Sequence, residues 1–393
     1  MLSTQVAIVG AGPSGLMLSH LLHLHGIHSV VVEIRSREYC ETRIRAGVLE
    51  QGSVDLLRRS EVADRLEREA MFHHGIEIGF NRRRHRIPMF ELTNGKCVTV
   101  YGQQEVVKDL IARRLADGGD IRFDSSAVSI HSIEGPRPLV RFETAGQAYE
   151  LSADYIAGCD GFHGICRPSV PPGILQFFER VYPFGWLGIL AEAPPSSCEL
   201  VYMHHDRGFA LFSMRSQQLT RLYLQSAPDE DLTQWPDDRI WDELFRRFEC
   251  DDGWLPNRGL ILQKSVTGMR SFVTEPMQYG RLYLAGDAAH IVPPTGAKGM
   301  NLALADVAVL ADAFHSYYNS RSVEPLDRYS AICLRRVWKA QRFSWWMTSL
   351  LHRCDDASEF DRRRQIAELD YVASSRAAAT SLAENYVGLP MEL

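Results

Sequence analysis

The sequence predicts an α/β fold with a parallel sheet at the start of the chain, an antiparallel sheet in the middle and a helical region at the end. Apolar runs at 5–10 and 29–33 flank a glycine-rich turn and a helical pattern at 16–24, which is typical of a β-α-β unit. Aromatic and β-branched residues alternate from 181 to 225, which indicates antiparallel strands. After Met300 the pattern is almost wholly helical.

The segment between the antiparallel sheet and the helices begins with a helix and returns to a buried strand. Pro236 and two aspartates precede apolar residues at helical spacing, and 281–285 is a buried-strand pattern that ends in Gly-Asp. No repeat, low-complexity tract or linker is visible, so we expect tightly fused units. The predicted division is 1–176, 177–284 and 285–393.

Composition narrows the functional class. The chain has 393 residues, more than a single core usually contains, so it can hold both a nucleotide and a substrate. Its net charge of -6 argues against a nucleic-acid-binding role. The eight cysteines form no CxxC pair and no secretory signature is visible, which predicts a cytoplasmic protein with free thiols and no metal site. Its apolar stretches are too short to span a membrane, so no membrane partner is expected.

The first functional motif is the glycine pattern between the first strand and the first helix. Gly10, Gly12 and Gly15 have GxGxxG spacing, and Glu33 ends the next strand. Such glycines let the backbone approach a pyrophosphate at the helix N-terminus, and the acid can hydrogen-bond a ribose. The pattern predicts dinucleotide binding, against the alternative of a structural turn, and does not distinguish FAD from NAD.

Two further strands end in an acid beside a glycine. The apolar strand before Asp160 runs into a turn with glycines, a histidine and an arginine, and the strand at 281–285 ends at Asp287. Ligands of open α/β sheets lie outside the carboxyl ends of the strands, where such acids can accept hydrogen bonds from a sugar-like chain. Each Gly-Asp alone is more often a turn. The three motifs together favour ligand binding over plain turns.

These motifs resemble those of the single-component FAD-dependent aromatic hydroxylases, which have a glutathione-reductase-like fold. The resemblance covers nearly the whole chain, through RIRAGVLEQ at 43–51, DYIAGCDGFHGI at 154–165, GDAAHIVPPTGAKG at 286–299 and ENYVGLP at 384–390. It implies an FAD-binding Rossmann-type domain with an inserted antiparallel substrate domain and a helical C-terminal region. It also implies non-covalent FAD, with NADPH or NADH and O2 as co-substrates.

The activity that the resemblance implies is hydroxylation of 4-hydroxybenzoate to 3,4-dihydroxybenzoate through a flavin C4a-hydroperoxide. A sister hydroxylase of another phenolic acid is the nearest alternative. A flavin-binding sensor that never turns over is a second alternative. A plain NAD(P) dehydrogenase is a third, but it leaves the two Gly-Asp strands unexplained.

The resemblance also places the cofactor-binding residues. Those for FAD are Gly10, Gly12, Gly15, Glu33, Arg43, Arg45, Gln103, Asp160, Arg221, Asp287, Gly299, Met300 and Asn301. Those for the nicotinamide nucleotide are Arg45, His163 and Arg270. Without the resemblance, an arginine beside a strand is usually a surface charge. The forked guanidinium of Arg45 suits a phosphate, and Arg221 is implied to control the swing of the isoalloxazine between an inward and an outward position.

The implied substrate-binding residues come from the antiparallel sheet, the loop before the last helices and the C-terminus. They are Tyr202, Ser213, Arg215, Tyr223, Pro294 and Tyr386. Ser213 and Arg215 are two apart on a predicted strand, so both can face one carboxylate.

The resemblance implies a set of catalytic residues around the phenol, namely Tyr202, Tyr386, His73, Pro294 and Lys298. Tyr202 is implied to bind the phenol oxygen, Tyr386 to support Tyr202, and His73 to connect the pair to solvent. The Pro294 carbonyl is implied to orient the substrate hydroxyl, and Lys298 to add positive potential. A phenolate ring carbon attacks an electrophilic oxygen more readily than a phenol does, which explains the need for a proton path.

The segment at 34–41 departs from the family pattern. Ile34, Glu38 and Glu41 replace or oppose positive charge near the position of the coenzyme 2′-phosphate, although Arg35 and Arg37 can compensate. We therefore expect NADH to be used at least as well as NADPH. We also expect a homodimer that uses the helical, aromatic-rich C-terminal third, and no nucleic-acid partner.

Overall fold

The structure is a computed structural model that describes residues 2–45 and 47–390; Met1, Ala46 and residues 391–393 lie outside the described residues, so the quoted segment 43–51 is described except at position 46. The strands are β1 (Leu2–Val9), β2 (Ser29–Val32), β3 (Val48–Leu49), β4 (Met71–His73), β5 (Ile76–Phe80), β6 (Arg83–Ile87), β7 (Val98–Val100), β8 (Asp120–Arg122), β9 (Ser125–His131), β10 (Leu139–Thr144), β11 (Gln147–Gly158), β12 (Gln176–Glu192), β13 (Leu200–Met203), β14 (Ala210–Met214), β15 (Leu219–Ser226), β16 (Leu260–Glu275), β17 (Gln278–Tyr279), β18 (Leu282–Leu284) and β19 (His290–Ile291).

Eleven α-helices lie in the described part of the chain. They are α1 (Pro13–Leu24), α2 (Arg37–Thr42), α3 (Gln51–Arg59), α4 (Asp64–Glu69), α5 (Met89–Leu92), α6 (Gln103–Ala116), α7 (Asp237–Phe248), α8 (Gly299–Ser320), α9 (Glu324–Leu351), α10 (Glu359–Ser374) and α11 (Arg376–Val387). Among the residues the structure covers, no helix has both the length and the apolar character that a membrane span requires.

The first sheet contains the predicted parallel unit. Its strand order is β17-β18-β11-β1-β2-β8, with β10 and β9 continuing from β11. β1 pairs in parallel with β2 and β11, and β11 pairs in parallel with β18. The β1 run of Val6 to Val9 is almost wholly buried, as expected for a parallel strand covered on both faces. The predicted β-α-β unit is therefore confirmed.

The second sheet contains the predicted antiparallel strands and several more. Its order is β19-β16-β12-β15-β14-β13-β5-β6. β5 and β6 come from 76–87, so the chain enters this sheet before the segment at 181–225 that predicted it. A third, small sheet has the order β3-β7-β4. The division at 176 and 284 stays a prediction.

The two faces of the second sheet have separate cores. One face packs against α7, whose buried side chains follow the helical spacing noted in the sequence. The other face packs against α9, α10 and α11. Successive side chains of a strand alternate between these two faces. The face toward the C-terminal helices is called the substrate face below, because the predicted substrate residues of the sheet lie on it.

Candidate active site

Three motifs that are far apart in the sequence meet at one edge of the first sheet. Val9 pairs with Gly158, and Gly158 pairs with Leu284, so β1, β11 and β18 end side by side. The Cys159 N–H donates to the Val9 carbonyl at 2.8 Å, and the Ala285 N–H donates to the Gly158 carbonyl at 3.0 Å. The glycine turn, Asp160 and Asp287 therefore lie beside one another at the carboxyl ends of parallel strands, where such folds bind ligands.

The glycine turn requires glycine at two positions. Gly10 has φ +103°, and a Cβ there would lie 2.4 Å from the Cys159 carbonyl oxygen. A Cβ on Gly15 would lie 1.9 Å from the Gly10 carbonyl oxygen. A Cβ on Gly12 would meet nothing within 4 Å, so the surface above the start of α1 is open. This arrangement suits the close approach of a pyrophosphate.

Glu33 lies buried just after the end of β2, where backbone amides fix its carboxylate. Oε2 accepts a hydrogen bond from the Ala11 N–H at 2.6 Å, and Oε1 accepts one from the Arg35 N–H at 2.8 Å. The acid is thus tied to the glycine turn itself. It retains acceptor capacity for a ribose hydroxyl, because each carboxylate oxygen can accept more than one hydrogen bond.

Asp160 and Asp287 present acceptors beside this turn. Asp160 Oδ2 accepts from the Cys166 N–H at 2.8 Å, whereas Oδ1 is buried with no hydrogen-bond partner among the described residues. Burial raises the pKa of Asp160. Asp287 lies at the strand end, where desolvation by the surrounding protein raises its pKa, and the charges of His290 and Arg45 partly oppose this rise. An unsatisfied buried acceptor fits a polyhydroxyl chain such as the ribityl of FAD.

A buried pair supports the Asp287 turn from behind, and the sequence did not reveal it. Asp306 Oδ2, on α8, lies 2.6 Å from His290 Nε2 and accepts a hydrogen bond from the Gly286 N–H at 3.0 Å. Burial lowers the pKa of His290, but Asp306 outweighs it, so the pKa lies above its ordinary value. The only local signal was the histidine that closes the GDAAH motif.

The substrate face brings most of the predicted substrate residues together. Tyr202 pairs with Leu211, which pairs with Tyr223, so these side chains point the same way across three strands. Ser213 and Arg215 follow Leu211 at alternate positions and share that face. At a strand spacing of about 4.8 Å, Tyr202 and Tyr223 are about 10 Å apart.

Two guanidinium groups on this face lack acidic partners. Arg215 Nη1 donates to Ser213 Oγ at 2.9 Å and Nη2 to the Tyr223 hydroxyl at 3.4 Å, while Nε is buried and unpaired. Arg221 Nη1 is also buried without a partner. Among residues 2–45 and 47–390, no carboxylate lies within salt-bridge distance of either arginine. Burial lowers the pKa of Arg215. A small carboxylate would satisfy this region.

Tyr223 and Gly188 fit these arginines. Burial raises the pKa of the Tyr223 hydroxyl, but Arg215 and Arg221 outweigh it and hold the pKa below its usual range. A Cβ on Gly188 would lie 2.7 Å from Arg221 Nη2, so glycine makes room for this side chain. The sequence offered no sign of the role of Gly188, because its neighbour comes from another strand.

A pair of buried tyrosines lies at the other end of the face. The hydroxyls of Tyr202 and Tyr386 are hydrogen-bonded, and the Tyr202 hydroxyl also lies 3.3 Å from the Thr295 carbonyl. Burial raises the pKa of both tyrosines. His73 is buried, and burial lowers its pKa to about 4. Neither His73 ring nitrogen has a hydrogen-bond partner in the described part of the chain. The direct chain therefore ends at Tyr386.

The loop before α8 contains Pro294 and Lys298. The Pro294 carbonyl accepts a hydrogen bond from the Ala297 N–H at 2.9 Å, and the Pro294 side chain is exposed. Lys298 is buried, with Nζ 2.5 Å from Glu50 Oε1. Its ammonium also donates to the carbonyls of Asn385 at 2.5 Å and Tyr386 at 3.1 Å. The positive charge of Lys298, which the resemblance placed in the active site, is thus paired with the buried Glu50 carboxylate.

Glu50 connects this loop to the end of the chain. Its second oxygen accepts from Arg336 Nη2 at 2.7 Å, and Arg336 Nη1 donates to the Leu389 carbonyl at 2.7 Å. Its backbone N–H donates to Asn301 Oδ1 at 2.9 Å, so the Asn301 side chain is used within the protein. Gly299, Met300 and Asn301 begin α8, and the N–H groups of a first helical turn have no partner in the helix. Those amides suit the flavin ring edge.

The remaining predicted cofactor residues fall into two groups. His163 is exposed and Arg270 half-buried, and both lie against the Phe162 ring, at 5.0 Å between ring centroids and 4.8 Å from the guanidinium carbon. Arg270 also pairs with Glu179 at 3.4 Å. In the second group, Arg45 is close enough to Arg43 and Asp287 for their charges to affect its pKa, which burial lowers. Gln103 is half-buried at the start of α6.

The family model described as "FAD binding domain" matches residues 3–344. The chain is 51% identical over 392 residues to p-hydroxybenzoate hydroxylase of Acinetobacter baylyi, covering 100% of this chain and 97% of that relative. It is 27% identical over 348 residues to a probable NADH-specific resorcinol 4-hydroxylase of Rhodococcus jostii, covering 84% of this chain and 62% of the relative.

The fold has close counterparts among solved structures. The p-nitrophenol 4-monooxygenase of Pseudomonas putida superposes with a TM-score of 0.85 at 18% identity, covering 99% of this chain and 100% of that one. An aklavinone-11 hydroxylase complex with FAD superposes with a TM-score of 0.75 at 21% identity, covering 89% of this chain and 69% of the other. The predicted fold class is confirmed, and the chain belongs to the FAD binding domain family as a flavin-dependent aromatic hydroxylase that uses FAD and NAD(P)H.

Proposed function

We propose that the protein converts 4-hydroxybenzoate, NAD(P)H, a proton and O2 into 3,4-dihydroxybenzoate, NAD(P)+ and water. The observation that carries the proposal is the substrate face, which has at one end Arg215, with no acidic partner among the described residues, and at the other the Tyr202–Tyr386 pair. An aromatic acid with a para hydroxyl matches that polarity. The 51% identity to a p-hydroxybenzoate hydroxylase supports the same substrate.

The carboxylate end consists of Arg215, Ser213 and Tyr223. Arg215 offers a charged donor that no protein acid occupies in the described residues, with the Ser213 hydroxyl 2.9 Å from Nη1. A carboxylate bound here would satisfy the buried guanidinium and fix the orientation of the substrate ring. Binding would therefore both hold the substrate and relieve an unpaired buried charge.

The phenol end moves a proton. The substrate phenol would give its proton to the Tyr202 oxygen while the Tyr202 proton passes to Tyr386, because the two hydroxyls are already hydrogen-bonded. His73 is neutral at physiological pH, with a pKa of about 4, so it acts as a relay: one ring nitrogen takes up the proton while the other releases its proton toward solvent. We propose that a water joins Tyr386 to His73. The product of this path is a substrate phenolate.

FAD would be held by the glycine turn, Glu33, Asp160, Asp287 and Arg45, with the amides that start α8 at the ring end. When bound, FAD accepts a hydride from NAD(P)H and activates O2 for transfer to the substrate. The protein's part is to orient the two rings and to exclude water. We propose that Arg221 on the substrate face contacts the flavin side, since its Nη1 is buried and unpaired.

The coenzyme preference follows from the segment after Glu33. Arg35 and Arg43 both lie over the Tyr39 ring, at 5.1 and 5.3 Å from its centroid, and Arg37 pairs with Glu41 at 2.7 Å. The pairing reduces the charge available for a 2′-phosphate. We propose that NADH is used at least as well as NADPH, with His163 and Arg270 serving the nucleotide. A kcat/KM strongly in favour of NADPH would refute this.

The first experiment measures NADH and NADPH oxidation by the FAD-loaded protein with and without 4-hydroxybenzoate, with chromatographic quantification of 3,4-dihydroxybenzoate. We expect oxidation to rise strongly with substrate and to be matched by product. Stimulated oxidation that yields only hydrogen peroxide would reject 4-hydroxybenzoate as the true substrate. It would favour the sister hydroxylase of another phenolic acid.

We also propose that the protein is a homodimer and is located in the cytoplasm. Phe360, Tyr371 and Trp345 on α9 and α10 are exposed, which is unusual for aromatic side chains on one helical region. All eight cysteines are free, which suits a reducing compartment. Light scattering of the purified protein would test the dimer, and a monomer mass at micromolar concentration would reject it.

A further inference from the structure

The end of α9 connects the two ends of the substrate face through hydrogen bonds. The Trp186 indole N–H donates to His352 Nε2 at 2.7 Å, and His352 Nδ1 lies 3.0 Å from the Thr348 carbonyl. The hydroxyls of Thr348 and Thr295 are 2.9 Å apart. The Thr295 carbonyl in turn lies 3.3 Å from the Tyr202 hydroxyl. Neither His352 nor Thr348 is among the site residues predicted from the sequence.

The protonation of His352 is fixed by its partners. An indole N–H can only donate, so Nε2 of His352 must carry a lone pair. The ring hydrogen therefore sits on Nδ1 and is donated to the Thr348 carbonyl. Burial lowers the pKa of His352 to about 3, so this neutral form persists at physiological pH. A protonated ring would direct a second N–H at the indole and break the contact.

The His352 ring cannot easily turn. It is buried and stacks on Phe184, with 4.7 Å between centroids and 7° between planes, and on Phe209 at 4.4 Å. A ring stacked on two aromatic side chains and hydrogen-bonded at both nitrogens has one orientation. It therefore fixes the position of the indole that it accepts from.

Trp186 belongs to the wall of the carboxylate end. Its ring packs on Tyr223, with 4.7 Å between centroids, and the Tyr223 hydroxyl lies 3.4 Å from Arg215 Nη2. Movement of the indole would release Tyr223 and with it one contact of the guanidinium. The path from His352 to Arg215 thus has three contacts and passes through two residues of the substrate face, Trp186 and Tyr223.

We infer that His352 and Thr348 are positioning residues for the proposed reaction, each serving a different end of the substrate. His352 holds the carboxylate end through Trp186 and Tyr223. Thr348 holds the phenol end through Thr295, whose carbonyl faces the Tyr202 hydroxyl. The inference rests on the proposed function, because it assumes an aromatic acid bound between these ends.

The test of His352 uses His352→Phe in the FAD-loaded enzyme. Phenylalanine keeps the stack on Phe184 and Phe209 but gives the Trp186 N–H no acceptor. We expect the Kd of 4-hydroxybenzoate to rise about 3- to 10-fold, the value of one hydrogen bond, with the pKa of the bound phenol unchanged. His352→Gln offers an amide oxygen to the indole, so its Kd should return to within about twofold of the native value.

A double-mutant cycle separates positioning from general loss of packing. In a Trp186→Phe background no indole N–H exists, so His352→Phe should have no further effect on Kd. A full effect in that background would overturn the inference. If His352→Phe does not fold, Trp186→Phe alone decides: a Kd raised about 3- to 10-fold supports the role, and an unchanged Kd rejects it.

The test of Thr348 has the opposite pattern. Thr348→Val removes the hydroxyl bonded to Thr295 but keeps the carbonyl that His352 uses. We expect Kd to stay within about twofold, while the pKa of the bound phenol rises and product per NAD(P)H falls about 2- to 5-fold. Ultraviolet absorbance of the bound substrate across pH measures the phenol pKa. Ser349→Ala, an exposed neighbour on the same helix, is the matched control and should change neither quantity.

The outcomes also separate this inference from the proposed function. Native enzyme that forms no 3,4-dihydroxybenzoate would refute the proposed function. The variants would then be compared on the phenolic acid that stimulates NADH oxidation. The inference would still require that His352→Phe changes only the Kd of that acid and that Thr348→Val changes only the pKa of its bound phenol. Native enzyme with normal product, but Thr348→Val and His352→Phe variants that shift both quantities alike, would overturn the positioning roles alone.

Discussion

The proposed FAD region, which comprises the glycine turn, Glu33, Asp160 and Asp287, and the substrate face are built in opposite ways. The FAD region lies at the ends of parallel strands and depends on the backbone: two glycines that tolerate no Cβ and acids held by N–H groups. The substrate face lies across antiparallel strands and depends on side chains, such as Tyr202 and Tyr386, which are 184 residues apart. One region is therefore encoded locally, and the other exists only after folding.

Charge follows the same contrast. In the FAD region the acids Glu33 and Asp160 are partly satisfied by amides and keep acceptor capacity for hydroxyl groups. On the substrate face the cations Arg215 and Arg221 are left without an acid among the described residues. The first region therefore suits a polyhydroxyl and phosphate ligand, and the second suits a small anion.

The largest expected effect comes from the FAD region. In Gly15→Ala the new Cβ would lie 1.9 Å from the Gly10 carbonyl oxygen, so the turn must open. We expect FAD affinity to fall at least about 100-fold, because moving a packed backbone costs about 3 kcal/mol or more. Flavin fluorescence titration of the apoprotein measures it. Gly268→Ala, where a Cβ makes only ordinary contacts, is the control. Native FAD affinity in the Gly15 variant would show that the turn is not the FAD site.

Next in size is a change confined to the substrate face. Arg215→Ala removes the buried guanidinium, and truncating a charge partner in a desolvated site costs about 2–5 kcal/mol. We expect the Kd of 4-hydroxybenzoate to rise at least about 30-fold while FAD content stays native. Spectral titration of the holoenzyme gives Kd. An unchanged Kd would show that Arg215 does not bind the carboxylate, and the difference in charge between the two regions would then have no role in binding.

A smaller effect on binding, but a clear one on chemistry, is expected at the phenol end. Tyr202→Phe keeps the ring and removes the hydroxyl that contacts Tyr386, so binding should change less than about threefold. Product per NAD(P)H should fall at least about tenfold, because general acid–base help is lost. Parallel assays of NADH oxidation and product measure this ratio. Tyr182→Phe, whose hydroxyl bonds Ser271, is the control. Normal coupling in Tyr202→Phe would exclude the proton path.

The smallest effect distinguishes the two regions by pH. Burial holds the pKa of His73 near 4 and that of His352 near 3, so stability from these neutral rings is present above pH 6.5 and is lost as pH falls below it. His290 has a raised pKa, so its contribution is present below pH 6.5 and is lost as pH rises through the higher folded value.

Urea unfolding midpoints at pH 5 and pH 7 test this opposition. Replacing His352 by Gln should reduce the loss of stability at pH 5 by about 2 kcal/mol, since pH 5 lies about 1.5 units below the unfolded pKa and one unit is worth about 1.4 kcal/mol. Replacing His290 by Asn should lower stability more at pH 5 than at pH 7. Equal effects at both pH values would show that these histidines do not titrate on unfolding.

The sequence indicated the three motifs of the proposed FAD region because each signal is short. The GxGxxG spacing, the strand before Asp160 and the strand before Asp287 each lie within about a dozen residues, and parallel pairing then brings their ends together. Strand ends in a parallel sheet meet at one edge whatever the intervening sequence. Local pattern and topology were therefore sufficient.

The substrate face could be anticipated only from family resemblance. Nothing near His352 indicates that it accepts from Trp186, which lies 166 residues earlier. Nothing near Lys298 indicates Glu50, 248 residues away. Likewise β5 and β6 join the second sheet by pairing that depends on β13, not on their own pattern. Contacts between residues far apart in the sequence have no local signature, so they can be identified only once the fold is known.

The ion pairs of Glu50 with Lys298 and Arg336 have a consequence for how the sequence of the C-terminal segment can vary. Lys298 and Arg336 hold that segment by the carbonyls of Asn385, Tyr386 and Leu389, not by their side chains. Every amino acid supplies such a carbonyl. Substitution at 385 or 389 should therefore be tolerated, whereas a change at Glu50, which is far from Tyr386 in the sequence, would displace Tyr386 through Lys298. In this segment, positions 385 and 389 can vary because only their carbonyls are used, although the segment itself positions Tyr386 for the proposed reaction.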